Sequence, residues 1–536
     1  MVSLFLDTMS NRAFDIIIFG ATGFTGQLVA KHIHAQNVDM KWAIAGRSQS
    51  KLSSLMTVLV NMQAPRNLPD ILIADATDCK ALSDICGEAR IILNCTGPFR
   101  FLGKEVVEAC LKAKCTYMDI CGEPQFMEKC FLDYHEKAVE SGVLIIHACA
   151  FDSVPADLGA LFSMRQFGPS KCASIESFLT IDCPKGLKGH VTTYESAVHG
   201  VGDLGSLKEI RREIKKKYNP PSIRHIGKKI AKVSTYKFES RMDKYVIPFM
   251  GSDASVVRSS HRALAMRTGE HCWPQYSACV TVNDLYTVAA TSFYGSMFYT
   301  LSGNPWGRSL LLSYPELFSD GIFSKAGPSA EQLENTSFKM FFFAHGYATV
   351  PDSDDVDKEG GIEESEKKRV ARGEATLLPS QVAGTARTSK MCSFSRIFKG
   401  KKDKDGTVPV PVPYPEDDLP CNKEVCVVVS GPEPGYVATP SIFFALAQCV
   451  LDEREKMPKG GVLTPSAAFY DSATVFARLK RAGLMFDVVN SGEEEVEQDK
   501  EEQEETGEGI VLGVNEERII KSELRQDNKD DGVRIG

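Results

Sequence analysis

The sequence predicts an α/β fold, a doubly wound parallel sheet with an inserted α+β domain, on three observations. First, short apolar runs alternate with helix-like segments from Phe14 to about residue 150. Second, these runs are apolar throughout and do not alternate with polar residues, as strands covered on both faces must be. Third, the first run leads straight into glycines spaced three apart, in "FDIIIFGATGFTGQLVAKHI" (14–33). At 536 residues the chain exceeds one ordinary core, so further domains are expected.

The expected strands are "FDIIIFG" (14–20), "KWAIAGR" (41–47), "DILIADA" (70–76), "RIILNCTG" (90–97), "TYMDICG" (116–122) and "GVLIIHACA" (142–150). Segments such as 51–62 and 103–115 read as the helices between them. Six strands on this beat fit a Rossmann-type domain over residues 12–158. After "FDSVPADLG" (151–159) the pattern changes, and 159–349 reads as an α+β substrate or dimerisation domain. Its strands are expected at 191–202 and 276–290. Residues 350–420 turn acidic, then basic, then proline-rich, which reads as a disordered insertion. Globular sequence resumes at 421–491 and completes the fold, and 492–536 reads as an acidic disordered tail.

Apolar residues make up 43% and charged residues 25%, the balance of a soluble globular protein. The net charge of -8 lies in the tail, because Glu493–Glu508 alone holds ten acidic residues and one lysine. A near-neutral body argues against nucleic acid as a partner. Sixteen cysteines contain no CxxC pair and no zinc-type Cys/His spacing. They read as reduced core thiols of a cytoplasmic chain, with no metal site. "MVSLFLDTMS" lacks a basic start and is interrupted by Asp7, so it does not read as a signal peptide.

A strand that ends in G-x-x-G-x-x-G and opens a helix meets three demands at once. Gly20 supplies a sharp turn, Gly23 removes a side chain where a phosphate must sit, and Gly26 lets helix and strand pack closely. The helix start holds the anion, with Thr22, Phe24 and Thr25 in the loop and the two hydroxyls as extra donors. At the end of the second strand, where an acidic residue would bind a ribose hydroxyl, this chain has Arg47 and Ser48. A guanidinium fork suits a 2′-phosphate, which favours NADP over NAD. Asp75 ends the third strand beside the expected adenine edge. The turn Cys95, Thr96, Gly97 and Pro98 follows the fourth strand on the nicotinamide side.

These residues carry a family resemblance. The chain resembles the saccharopine dehydrogenase-like oxidoreductases through "GATGFTGQLVAKHI", "AGRS", "LNCTGPFRFLGKEVVEAC", "YMDICGEPQFMEKCFLDYHEKA" and "HACAFDSVPADLG". Further on, 236–260, "SGPEPGYVATP" (430–440) and "GGVLTPSAAF" (460–469) resemble the same family. The resemblance implies NAD(P)-linked oxidoreduction, an inserted substrate domain and a final segment that packs back on the first domain. It does not imply the saccharopine reaction. Where those enzymes carry a glycine and a histidine after the sixth strand, this chain has Pro155, Ala156, Asp157 and Leu158. A related branch of enoyl reductases of lipid biosynthesis makes a lipid-like substrate compatible with the family.

Hydride transfer often needs a proton donor. Asp119 and Glu123 in "MDICGE", Asp152 and Ser153 in "FDSVP", and Tyr194 and His199 on the expected strand 191–202 are the candidates, and no catalytic dyad is legible. Leu285–Gly307 runs 23 residues without a charge. It reads first as sheet buried at a homodimer interface, and second as an aromatic surface peripheral on a membrane or lipid droplet. The basic, phenylalanine-bearing stretch Arg387–Lys404 would reinforce contact with anionic lipid. The rival to an enzyme is a sensor or scaffold that binds NADP without turnover.

Overall fold

The computed structural model describes residues 12–62, 67–167, 172–348 and 421–489. The insertion expected at 350–420, with its stretch Arg387–Lys404, and the tail expected at 492–536 lie outside the described residues. The six apolar runs form β1 (Phe14–Phe19), β2 (Trp42–Gly46), β3 (Asp70–Ile73), β4 (Ala89–Asn94), β5 (Thr116–Asp119) and β6 (Leu144–Ile146). Helices α1 (Phe24–Ala35), α2 (Gln49–Asn61), α3 (Cys79–Glu88), α4 (Phe99–Ala113) and α5 (Pro124–Ser141) connect them. Successive side chains of β1 enter opposite cores: Ile16 and Ile18 join one apolar cluster, Ile17 and Phe19 the other. That is why the strand must be apolar on both faces.

Helix α6 (Val154–Arg165) leads into β7 (Cys172–Asp182). There follow β8 (Gly189–His190), α7 (Val191–Gly202), α8 (Leu204–Tyr218), β9 (Lys237–Glu239), β10 (Lys244–Pro248) and α9 (Asp253–Thr268). Then come β11 (Gln275–Val282), α10 (Leu285–Ser302), α11 (Pro305–Ser313), β12 (Phe323–Ser324) and β13 (Ser337–Gly346). The last described segment holds β14 (Lys423–Pro432), α12 (Thr439–Glu453), β15 (Gly461–Leu463) and β16 (Met485–Val489).

The first sheet has the order β15-β6-β5-β4-β1-β2-β3, and every pairing in it is parallel. Strand order reverses between β1 and β4, which is the switch point where open parallel sheets leave a crevice at their carboxyl ends. The second sheet runs β16-β14-β13-β7-β11-β10-β9. Only β7 and β11 pair in parallel there. The segment 421–489 is shared between the sheets, with β15 on the edge of the first and β14 and β16 in the second. Helix α12 packs on α1. The stretch 434–456 holds an 18-residue window long and apolar enough to cross a membrane, yet 78% of that window is buried inside the protein.

Three expectations need correction. Residues 191–202 are a helix, not a strand. Their β-branched start suggested a strand, but the buried Tyr194 and Val198 stand four apart, and the His190 side chain accepts from the Thr192 N–H to cap the helix. Residues 276–290 are a strand only to Val282. There Asp284 caps a new helix, accepting from the Thr287 N–H at 2.8 Å and the Thr287 hydroxyl at 3.0 Å. Leu285–Gly307 is therefore not buried sheet but the helix α10 and the start of α11, mostly exposed. The described cysteines are all free.

Candidate active site

Three chain segments meet over the switch point and enclose a cavity of about 1120 Å³. The glycine turn forms its floor. Gly20 has φ +81°, and a Cβ there would meet the Thr96 hydroxyl at 2.4 Å. Its N–H donates to Ala45 O at 2.9 Å, which holds the turn against β2. A Cβ on Gly26 would lie 2.2 Å from Gly20 O, so only glycine lets α1 pack this closely. No side chain caps α1 at Gly23, so its first-turn N–H groups lack the partner that such helix starts normally have. We expect Gly26→Ala to push helix from strand and to cost about 1–3 kcal/mol, as overpacking does. Thermal unfolding measures this, and an unchanged midpoint would contradict the contact.

Of the expected nucleotide residues, Gly20, Thr22, Gly23, Phe24, Thr25, Arg47, Ser48, Asp75, Cys95, Thr96 and Gly97 all line this cavity. Gly26 lies behind it in the helix–strand contact, and Pro98 caps α4. Arg47 is exposed on the wall and makes no hydrogen bond or ion pair among the described residues. Lys51 lines the same wall, one turn into α2, and its N–H donates to the Ser48 hydroxyl. Sequence reading missed Lys51, although its spacing from Ser48 is that of a capped first turn. Asp75 accepts from the Thr77 N–H and hydroxyl, which hold its carboxyl below the usual range. The Thr96 hydroxyl, a buried atom, has no hydrogen-bond partner among the described residues. These features fit a dinucleotide: an uncapped helix start, free cations beside the second strand, and an orphan donor at the fourth.

The catalytic candidates separate by geometry. Asp119 is buried and fully engaged: Oδ1 accepts from the Cys121 and Ala148 N–H groups, and Oδ2 from the Tyr117 hydroxyl and His147 Nδ1 at 2.9 and 2.7 Å. It ties the ends of β5 and β6 together and does not line the cavity. Glu123 lines it, but accepts from the Phe99 N–H at 2.8 Å and from Arg100 Nε at 2.7 Å. Arg100 also reaches His199 O at 2.9 Å and Asp203 Oδ2 at 2.7 Å, so this guanidinium joins the first sheet to the end of α7. Tyr194 does not line the cavity. It packs in a small core with Phe298 and Phe323, where burial pushes its hydroxyl up to about 12. The His199 ring lies edge-on to Phe101, also outside the lining. Ser153 is buried, 3.0 Å from the Ser252 hydroxyl.

Asp152 alone of these has its carboxyl open to the cavity and makes no side-chain hydrogen bond among the described residues. The side chain is exposed within the cleft, and the protein mass around that cleft removes enough water to push its carboxyl up to about 6. A carboxyl held more weakly acidic in the folded chain favours folding below its unfolded value near 3.8, and the benefit is lost as pH rises through about 6. We therefore expect Asp152→Asn to flatten the fall in melting temperature between pH 4 and 7. An identical pH dependence in variant and wild type would contradict the assignment.

The far half of the cavity was not legible in the sequence. Ile181, Leu187, Phe249, Met250, Phe298 and Tyr299 make it apolar. The two halves join at Phe24, which stacks on His190 at 4.6 Å and meets Tyr436 edge-on at 4.9 Å. The Tyr436 hydroxyl accepts from the His190 N–H at 2.7 Å. Glu433 holds this corner: its carboxylate accepts from the Gly435, Tyr436 and Val437 N–H groups. "EPGYV" carried that signal, an acidic residue before a proline-started turn.

A parallel sheet with a glycine turn at its switch point and free cations at the second strand defines the class, a nucleotide-binding α/β protein. Residues 16–146 match the family model "Saccharopine dehydrogenase NADP binding domain". The chain is 35% identical to rat saccharopine dehydrogenase-like oxidoreductase over 90% of this chain and 99% of that protein. It is 26% identical to a Caenorhabditis elegans protein named lipid droplet localized protein, over 86% of this chain and 94% of that one. A solved yeast saccharopine dehydrogenase is similar at 12% identity and a TM-score of 0.46, covering 89% of this chain and all of that one. The chain belongs to the saccharopine dehydrogenase-like oxidoreductases, with an NADP-binding first domain.

Proposed function

We propose that this protein transfers a hydride between NADP and an apolar, lipid-like substrate held in the far half of the cavity. The observation that carries this is the single cavity of about 1120 Å³ running from Arg47 to Tyr299. Ligand sites commonly occupy about 300–1,000 Å³, so the space suits a dinucleotide with a second molecule beside it. Gly20, Thr22, Gly23, Phe24 and Thr25 hold the pyrophosphate at the start of α1. Arg47 and Lys51, with Ser48, hold the 2′-phosphate, and Asp75 borders the adenine. Cys95, Thr96 and Gly97 flank the nicotinamide, which when bound supplies or accepts the hydride. Asp152 holds the proton that the reduced substrate takes up, and the apolar wall excludes water.

A carboxyl at about 6 is protonated below that pH, so reduction should slow as pH rises through it. The rival, an NADP-binding sensor or scaffold without turnover, fits a plugged cleft better than an open one. The name of the worm relative supports a peripheral place on lipid droplets. Titration with NADPH and NADH, followed by a turnover screen of acyl, enoyl and imine substrates, tests the proposal. NADPH binding without turnover of any of these classes would favour the rival.

A further inference from the structure

Helix α10 breaks the rule that a surface helix presents charge to water. Leu285–Ser302 contains no Asp, Glu, Lys, Arg or His, and the uncharged run continues to Gly307. Yet only Val288 and Ser302 are buried in it. Tyr286, Phe293 and Tyr299 are 84%, 66% and 60% exposed, and Trp306 at the start of α11 is 71% exposed. The next cation, Arg308, is turned back onto Ser302 O at 2.9 Å. The same helix supplies Gly295, Phe298 and Tyr299 to the cavity wall, opposite Met250, which lines the cavity and is 78% exposed. The rim of the cavity thus belongs to the exposed apolar face.

We propose that this face docks on a zwitterionic phospholipid surface and that the cavity draws its apolar substrate from that layer through the Met250–Tyr299 rim. This rests on the reading of the far half as a substrate site. An uncharged helix with tyrosine and tryptophan on its open side suits the boundary between acyl chains and headgroups. A second copy of the chain on the same face would cover the rim, whereas a lipid layer feeds it. Nothing on the face demands anionic lipid.

The three tryptophans make the test direct. Trp42 and Trp273 are 3% and 1% exposed, so lipid contact of the folded chain can alter only Trp306. Adding phosphatidylcholine vesicles to the full chain should shift its emission to the blue and shield it from acrylamide. Trp306→Phe should abolish the shift, and the double variant Tyr286→Ser/Phe293→Ser should weaken vesicle partition at least about tenfold. NADPH titration of that variant, expected to match wild type, shows that it is folded and reports separately on the proposed function. No shift with vesicles, binding only when phosphatidylserine is added, or a lipid-free shift that tracks a dimer in sedimentation would each overturn the proposal.

Discussion

Arg47→Ala should weaken NADPH binding by about 1.5–3 kcal/mol, the range for a hydrogen bond to a charged group, or about 10- to 150-fold. NADH, which lacks the 2′-phosphate, should bind almost as before. The contrast is clean because Arg47 is exposed on the cavity wall and makes no hydrogen bond or ion pair among the described residues, its attraction to Asp75 being the least of the influences on that carboxyl. Lys51 shares the wall, so Lys51→Ala should show the same selectivity with a smaller loss. Parallel titrations with the two nucleotides measure both effects. Tighter binding of NADH than of NADPH by the wild type would remove the argument for Arg47.

Arg100→Ala should lower stability by about 3–5 kcal/mol, the usual effect of removing one member of a buried ion pair. The Arg100 side chain is only 9% exposed and its partner Glu123 only 3%. Truncation strips Glu123 of its cation and removes one of the two donors to His199 O, which keeps the Asp203 N–H at 3.1 Å. Arg100→Lys should recover little, because an ammonium cannot reproduce a fork that spans Glu123, His199 and Asp203. Denaturant midpoints decide this. A loss below about 1 kcal/mol would place the pair among exposed ones.

The first sheet was legible because six of its seven strands come from short apolar runs, five of them buried on both faces, a pattern few other structures require. The edge strand β15 was not, since three residues of "GVL" carry too little pattern. The second domain misled for a different reason. "VTTYESAVHGVG" has the composition of a strand, and only the four-residue spacing of Tyr194 and Val198, with His190 as cap, marks it as helix. Long strands such as β7 and β13 went unread, although "KMFFFA" lies in the middle of the sheet with a partner on each side. In the site, the nucleotide half could be read because glycine spacing and a strand-end arginine are local signals. The apolar half is assembled from Ile181, Phe249 and Phe298, residues far apart in sequence that share no spacing. Asp152 stood out among several acids only once Asp119 and Glu123 proved to be occupied.

Strands β13 and β14 pair in register from Ser337 with Pro432 to Gly346 with Lys423. They are antiparallel neighbours, and the chain leaves the sheet after Gly346 and returns to it at Lys423, directly opposite. Loop closure costs only about 0.6 kcal/mol for each doubling of length. The chain can therefore lengthen or shorten between residues 349 and 420 with little thermodynamic penalty. A junction of this kind is a place where a lineage can add regulatory sequence, or lose it, without rebuilding the enzyme beneath.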